Sequence, residues 1–112
     1  YTTHLSLEEG ETEQANYHHG NWLDIDANLG GRPDSVGNSL GGVAFEWLDE
    51  WWKNYEPYRH DKKSEAIGPF AGGYYFEEWF GIHGQGKGKH SPFMRQPRKV
   101  YQLYKEMWKS KP

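Results

Sequence analysis

The sequence predicts an α/β fold. It reads as the closing helix–strand–helix portion of an α/β barrel, incomplete as a stand-alone domain. Three observations carry this. Apolar residues recur at helical spacing near both ends of the chain. Between them lies one short, glycine-bounded apolar run with the length of a buried strand. A single strand makes no sheet, so two helices with large aromatic faces are left needing a surface to cover.

The elements follow in order, in one segment spanning 1–112. Ser6-Leu7-Glu8-Glu9 has capping-box spacing, with acids filling a first helical turn. Ala15, His18, Trp22, Ile25 and Leu29 then alternate in steps of three and four, which predicts an amphipathic helix over about 11–28. Gly20 inside it costs about 1 kcal/mol relative to Ala, which predicts close packing at that turn. Gly30-Gly31 ends the helix and Arg32-Pro33-Asp34-Ser35 makes a loop.

Gly41-Gly42-Val43-Ala44-Phe45-Glu46-Trp47 predicts a strand over about 42–47, which breaks into acids and tryptophans at Asp49, Glu50, Trp51 and Trp52. No period is sustained over 49–90, which reads as a long aromatic loop that serves a function or is disordered. Within it, residues 74–82 form a second aromatic segment, a short strand or an ordered turn, and 84–90 a flexible glycine–lysine loop. Val100, Leu103, Tyr104, Met107 and Trp108 at i, i+3, i+4, i+7 and i+8 predict the closing helix over about 97–109. Ser91-Pro92 or Gln96-Pro97 can start it, because proline suits the first helical position.

Composition narrows the function. The chain has 112 residues, 35% of them apolar but 17% aromatic, so its hydrophobes are large rings that stack and hydrogen-bond at once. A net charge of −3 gives no nucleic-acid footprint. The absence of cysteine excludes disulfides and thiolate metal sites. No apolar run approaches the ~20 residues of a membrane span. The first residue is Tyr1 with no leader in view, which reads as a processed or excised piece of a longer protein.

Candidate site residues cluster at the strand's end. Glu46 is costly to bury unless paired. With Asp49 and Glu50 it forms an acid set that binds sugar hydroxyls or takes part in catalysis; in the third reading Glu46 pairs structurally with a barrel Arg or Lys, and Asp49 and Glu50 are solvated rim charges. Paired glycosidase carboxylates lie about 5–5.5 or 6.5–9.5 Å apart, and residues this close in sequence can meet either distance. Trp47, Trp51 and Trp52 either stack on sugar rings or pack under the long loop. Strand alternation puts Phe45 and Trp47 opposite Glu46, so all three share a pocket only if the strand end twists or bulges. The six histidines form neither HExxH nor a His-x3–5-His set, so no metal is expected. Gly84-Gln85-Gly86-Lys87-Gly88-Lys89 lacks phosphate-loop spacing, and no cofactor is expected.

Gly37-Asn38-Ser39-Leu40-Gly41-Gly42 and the run Val43-Ala44-Phe45-Glu46-Trp47-Leu48-Asp49 resemble the eighth strand of (β/α)8 (TIM) barrel glycoside hydrolases of the β-galactosidase and β-glucuronidase kind. Residues 17–25 look like the helix before that strand and residues 95–108 like the closing helix. Glu46-Trp47, Asp49-Glu50-Trp51-Trp52-Lys53 and Glu77-Glu78-Trp79-Phe80-Gly81-Ile82 are similar to runs in uncharacterised barrel proteins. The resemblance implies that Phe45, Glu46, Trp47, Asp49, Trp51 and Trp52 line a carbohydrate site. It also implies that both catalytic carboxylates lie upstream, because the chain holds no Asn-Glu pair and begins after the seventh strand. No catalytic residue is therefore expected here, and the partners implied are carbohydrate and the rest of the parent barrel or a partner chain. Two other readings stay open: a non-catalytic carbohydrate-binding or assembly module using exposed Trp and Tyr, and a structural subunit packing on a partner chain.

Overall fold

A computed structural model describes residues 5–35, 37–53, 55–57, 60, 75–84 and 95–109. Helix α1 spans Leu7–Ala27 and helix α2 spans Lys99–Lys109. Ser6 caps α1 as its spacing predicts. The Glu9 amide donates to Ser6 Oγ (3.2 Å) while Glu9 Oε2 accepts from the Ser6 amide (2.8 Å). The cap starts the helix four residues before the predicted boundary.

The two helices lie side by side and run in the same direction. Lys99, at the start of α2, reaches Glu8 and Thr12 at the start of α1. Further along, Tyr104 accompanies His18 and Trp22, and Trp108 meets the Trp22 ring at 5.5 Å. The stripe of Ala15, His18, Trp22, Ile25 and Leu29 is the half-buried side of α1 and its continuation. Ala15 and Trp22 pack on the small core of Ile82, Val100 and Tyr104, joined there by Ala44 and Tyr101. Gly20 does not follow its expectation: nothing lies within 4 Å of where its Cβ would be, so no close packing accounts for it.

The barrel portion is overturned. The described residues form two helices and one two-stranded antiparallel sheet, whereas a barrel segment supplies parallel strands. Strand β1 (His83–Gly84) pairs with β2 (Gln96–Pro97), in the register His83↔Pro97 and Gly84↔Gln96. The predicted strand over 42–47 is not formed. Leu40 and Val43 are 99% and 97% exposed, and the run makes no ladder. Its backbone engages only at its far end. The Ile82 amide donates to the Glu46 carbonyl (2.9 Å), the His83 amide to that of Trp47 (3.1 Å), and Leu48 makes one isolated parallel bridge with His83. An apolar run needs neighbouring strands to satisfy its amides and bury both faces, and here the neighbours are two residues long.

Gly42 instead crosses α1, where a Cβ would lie 2.8 Å from Ile25 Cδ1. The aromatic segment turns as a 3-10 helix over Phe76–Trp79, and another covers Trp51–Lys53. Most of the loop expected over 49–90 lies outside the described residues, as does the glycine–lysine loop beyond Gly84. No described helix is long and apolar enough to cross a membrane.

Candidate functional site

The six residues expected at one carbohydrate site separate into three environments. Asp49 is the centre of the first and is fully buried. Arg98 grips it with both nitrogens: Nη1 donates to Oδ1 (2.7 Å) and Nη2 to Oδ2 (2.6 Å). The Gly81 amide adds a bond to Oδ1 (3.0 Å), and His60 Nε2 lies 3.0 Å from Oδ2. Arg98 Nη1 also donates to the carbonyls of Trp79 (3.0 Å) and Gly81 (2.6 Å), so the guanidinium is as well satisfied as the carboxylate. A fork of this geometry is the form in which a buried pair recovers its desolvation cost.

Aromatic rings close over this pair. His60 stacks on Trp79 at 3.6 Å and tilts against Trp51 at 4.6 Å, while the guanidinium carbon sits 5.7 Å from the Trp79 ring. Gly81 is required by the close approach of chains here. A Cβ would lie 2.6 Å from both the His83 carbonyl oxygen and the Leu48 carbonyl carbon, and would also meet the Asp49 amide. Asp49 and Trp51 thus serve the interior of the fold, and neither faces solvent.

Glu46 lies in the second environment. Its backbone is held by Ile82, but Oε1 is buried and has no hydrogen-bond partner among the described residues. Burial, more than the nearby charges of Glu50 and Asp49, pushes its carboxyl up to about 7; Lys53 opposes the rise and Glu77 adds slightly to it. Lys53 is already engaged, with Nζ 3.2 Å from Glu50 and 3.0 Å from Glu77. Hydrogen bonding to Glu77 and Glu50 holds that ammonium above its ordinary range. The cation that could neutralise Glu46 is shared by two other acids.

Exposed rings make the third environment. Phe45 and Trp47, flanking Glu46 in the chain, are 62% and 58% exposed, and Trp52 is similarly open on its 3-10 turn. Their surroundings differ. Phe45 meets Phe80 edge-on at 6.2 Å, whereas Trp47 leans on the His83 ring at 4.3 Å and meets Tyr101 edge-on. Burial lowers the His83 pKa; the Trp47 carbonyl opposes this, and Arg95 and Arg98 add to it. His83 is therefore neutral at pH 7, and its ring offers Trp47 an uncharged stacking partner.

Sequence reasoning passed over Arg98, His60 and Gly81. A buried Asp demands a cation, but Arg95 and Arg98 lie three residues apart in the chain and spacing does not choose between them. His60 sits in the unpatterned loop, where no period marks it. Among the described residues, no group of three or more His, Asp or Glu is placed to hold a metal ion. No protein-family model, curated protein or solved structure matches this chain.

Proposed function

We propose that the surface around Glu46 and Trp47 binds carbohydrate, with Trp52 as a further ring on the adjoining turn. The observation that carries this reading is the Glu46 carboxyl, which holds a buried oxygen without a partner among the described residues and stands between two exposed aromatic residues. A buried acceptor left empty is costly, and a ligand hydroxyl removes that cost. A carboxyl titrating near 7 exists in both forms at neutral pH, so it donates to one hydroxyl or accepts from another. Trp47 offers an indole face of the kind on which the C–H face of a sugar ring stacks.

In a glycoside hydrolase-like protein such a surface holds the sugar while carboxylates elsewhere break the bond. Asp49 has no place in that role, because every interaction at its oxygens goes to the fold.

Titration of the 112-residue chain with neutral gluco-, galacto- and xylo-oligosaccharides, followed by tryptophan fluorescence and calorimetry, tests the reading. Saturable binding is expected, weakened about fivefold by Trp47→Ala, since a stacked ring contributes on the order of 1 kcal/mol. Glu46→Gln keeps the shape and one acceptor, and weakens binding several-fold. Binding that survives Trp47→Ala unchanged, or no response to any of the sugars, overturns the proposal.

A further inference from the structure

A groove of about 630 Å³ runs along α1, a volume suited to a small organic molecule. Trp22 and Tyr104 form its floor, and Phe45, Phe80 and Tyr17 stand along its edges. Ring faces are electron-rich, and cations gather over them.

The charges along the groove have one sign. Glu13 and Asp24 line it three helical turns apart, about 16 Å along the helix axis, and no Lys or Arg lines it among the described residues. His18 adds no positive charge at neutral pH: its Nδ1 lies 2.7 Å from the Tyr104 hydroxyl and burial lowers its pKa. One buried acceptor of the lining is unspent. Gln14 uses its amide nitrogen on the carbonyls of Phe80 (3.3 Å) and Gly81 (3.2 Å). That fixes the amide orientation and leaves Gln14 Oε1 buried in the groove wall with no partner among the described residues. Aromatic faces, the open Gln14 acceptor and two carboxylates make a lining that also holds the polar groups of Asn21 and Tyr17 and, among the described residues, lacks a positive charge.

We propose that this groove binds an organic cation, a protonated amine carried on an apolar or aromatic body. The ammonium supplies the donor that Gln14 Oε1 lacks and sits over ring faces within reach of a carboxylate. The body replaces water on Phe45 and Phe80. Glu46 and Trp47 do not line the groove, which shares only Phe45 with the Glu46 surface, and the proposal stands whether or not the chain binds sugar.

Three probes of equal size and different charge test it: benzylamine, benzyl alcohol and benzoate, each titrated into the 112-residue chain and followed by amide NMR shifts. Benzylamine is expected to shift the Gln14 side-chain amide and the backbone amides of residues 13–24. It should bind about tenfold more tightly than benzyl alcohol, with benzoate weakest. The double variant Glu13→Gln with Asp24→Asn removes both exposed charges and keeps the side-chain shapes. It should lower benzylamine affinity to the level of the alcohol, with an unchanged helical circular dichroism signal. Equal binding of amine and alcohol, an amine preference that persists in the double variant, shifts confined to residues away from α1, or no binding of any probe each overturns the proposal.

Discussion

Glu46 and Asp49 are three residues apart in one run of chain, and their fates are opposite. Asp49 is buried with both oxygens answered by Arg98, His60 and the Gly81 amide. Glu46 is partly buried with one oxygen unanswered among the described residues, and burial raises its pKa towards neutrality. The same chemical group is thus a structural pin at one position and an uncommitted polar group at the other. What separates them is access to a cation. Arg98 arrives from a distant part of the chain to meet Asp49, while the nearby Lys53 is divided between Glu50 and Glu77.

The largest expected effect lies at the paired acid. Asp49→Ala leaves the buried Arg98 guanidinium without its counter-charge, and should cost about 3–5 kcal/mol in chemical denaturation. Replacing both partners, as in Asp49→Leu with Arg98→Met, should recover a large part of that loss, because no uncompensated charge remains. If the single and double variants are equally destabilised, Asp49 is not pinned by its pairing and the contrast with Glu46 fails.

Gly81→Ala comes next. The added methyl must displace backbone at Leu48, Asp49 and His83, and no flexible side chain is there to give way. Overpacking of this kind costs roughly 1–3 kcal/mol, readable as a lower melting temperature with α1 and α2 still present in the far-ultraviolet spectrum. A neutral result would mean that the junction around Asp49 is looser than its contacts imply.

Glu46 yields a prediction in pH. Its ordinary value is 4.5 and the folded value is about 7, so between those limits the folded state holds more protons than the unfolded one. Its contribution is fully present below pH 4.5 and is lost as pH rises through 7. Glu46→Gln should therefore leave stability near pH 4 little changed and raise it at pH 8 by about 1 kcal/mol, once solvent screening at this partly open site is allowed for. His18 and His83 act in the opposite direction. Burial holds both below 6.5, so their contribution is lost as pH falls beneath that value. In the Glu46→Gln protein the acid-side loss from the two histidines should stand out more clearly. Stability–pH curves of the two proteins that run parallel from pH 4 to 8 would place Glu46 among ordinary surface carboxylates.

The smallest effect comes from a position with no tertiary role. Gly20 is helical and open on every side, so Gly20→Ala should stabilise the protein by about 0.5–1 kcal/mol through the reduced freedom of the unfolded chain. A loss of stability would reveal a contact at that turn of α1.

Local features were legible in the sequence. Ser6 and Glu9 carry both halves of a capping box within four residues, so the start of α1 needs nothing from the rest of the molecule. The stripes of the two helices are equally local, and Trp22, Val100 and Tyr104 lie where the period puts them. The run over 42–47 was misread for a related reason. Strand composition describes a willingness to pair, and pairing requires neighbours. Here the neighbours are two residues long, so Val43 is exposed and only Glu46 to Asp49 engage the 82–84 segment. Glu46 was legible as a carboxylate in an apolar setting, yet nothing within the run says that Asp49, and not Glu46, captures an arginine.

What the sequence determined by itself is what neighbouring residues settle between them: two capped or periodic helices, their apolar sides, and an aromatic, acid-rich surface with no thiol chemistry. Only the tertiary structure decided which acid is pinned and which is left open. The partners of Asp49 come from positions 60, 81 and 98, and contacts across that much chain form or fail by the packing of Trp51, Trp79 and Gly81 around them. Charge and composition name the groups that could pair. The desolvation cost of each possible pairing, set by where the chain closes, chooses among them.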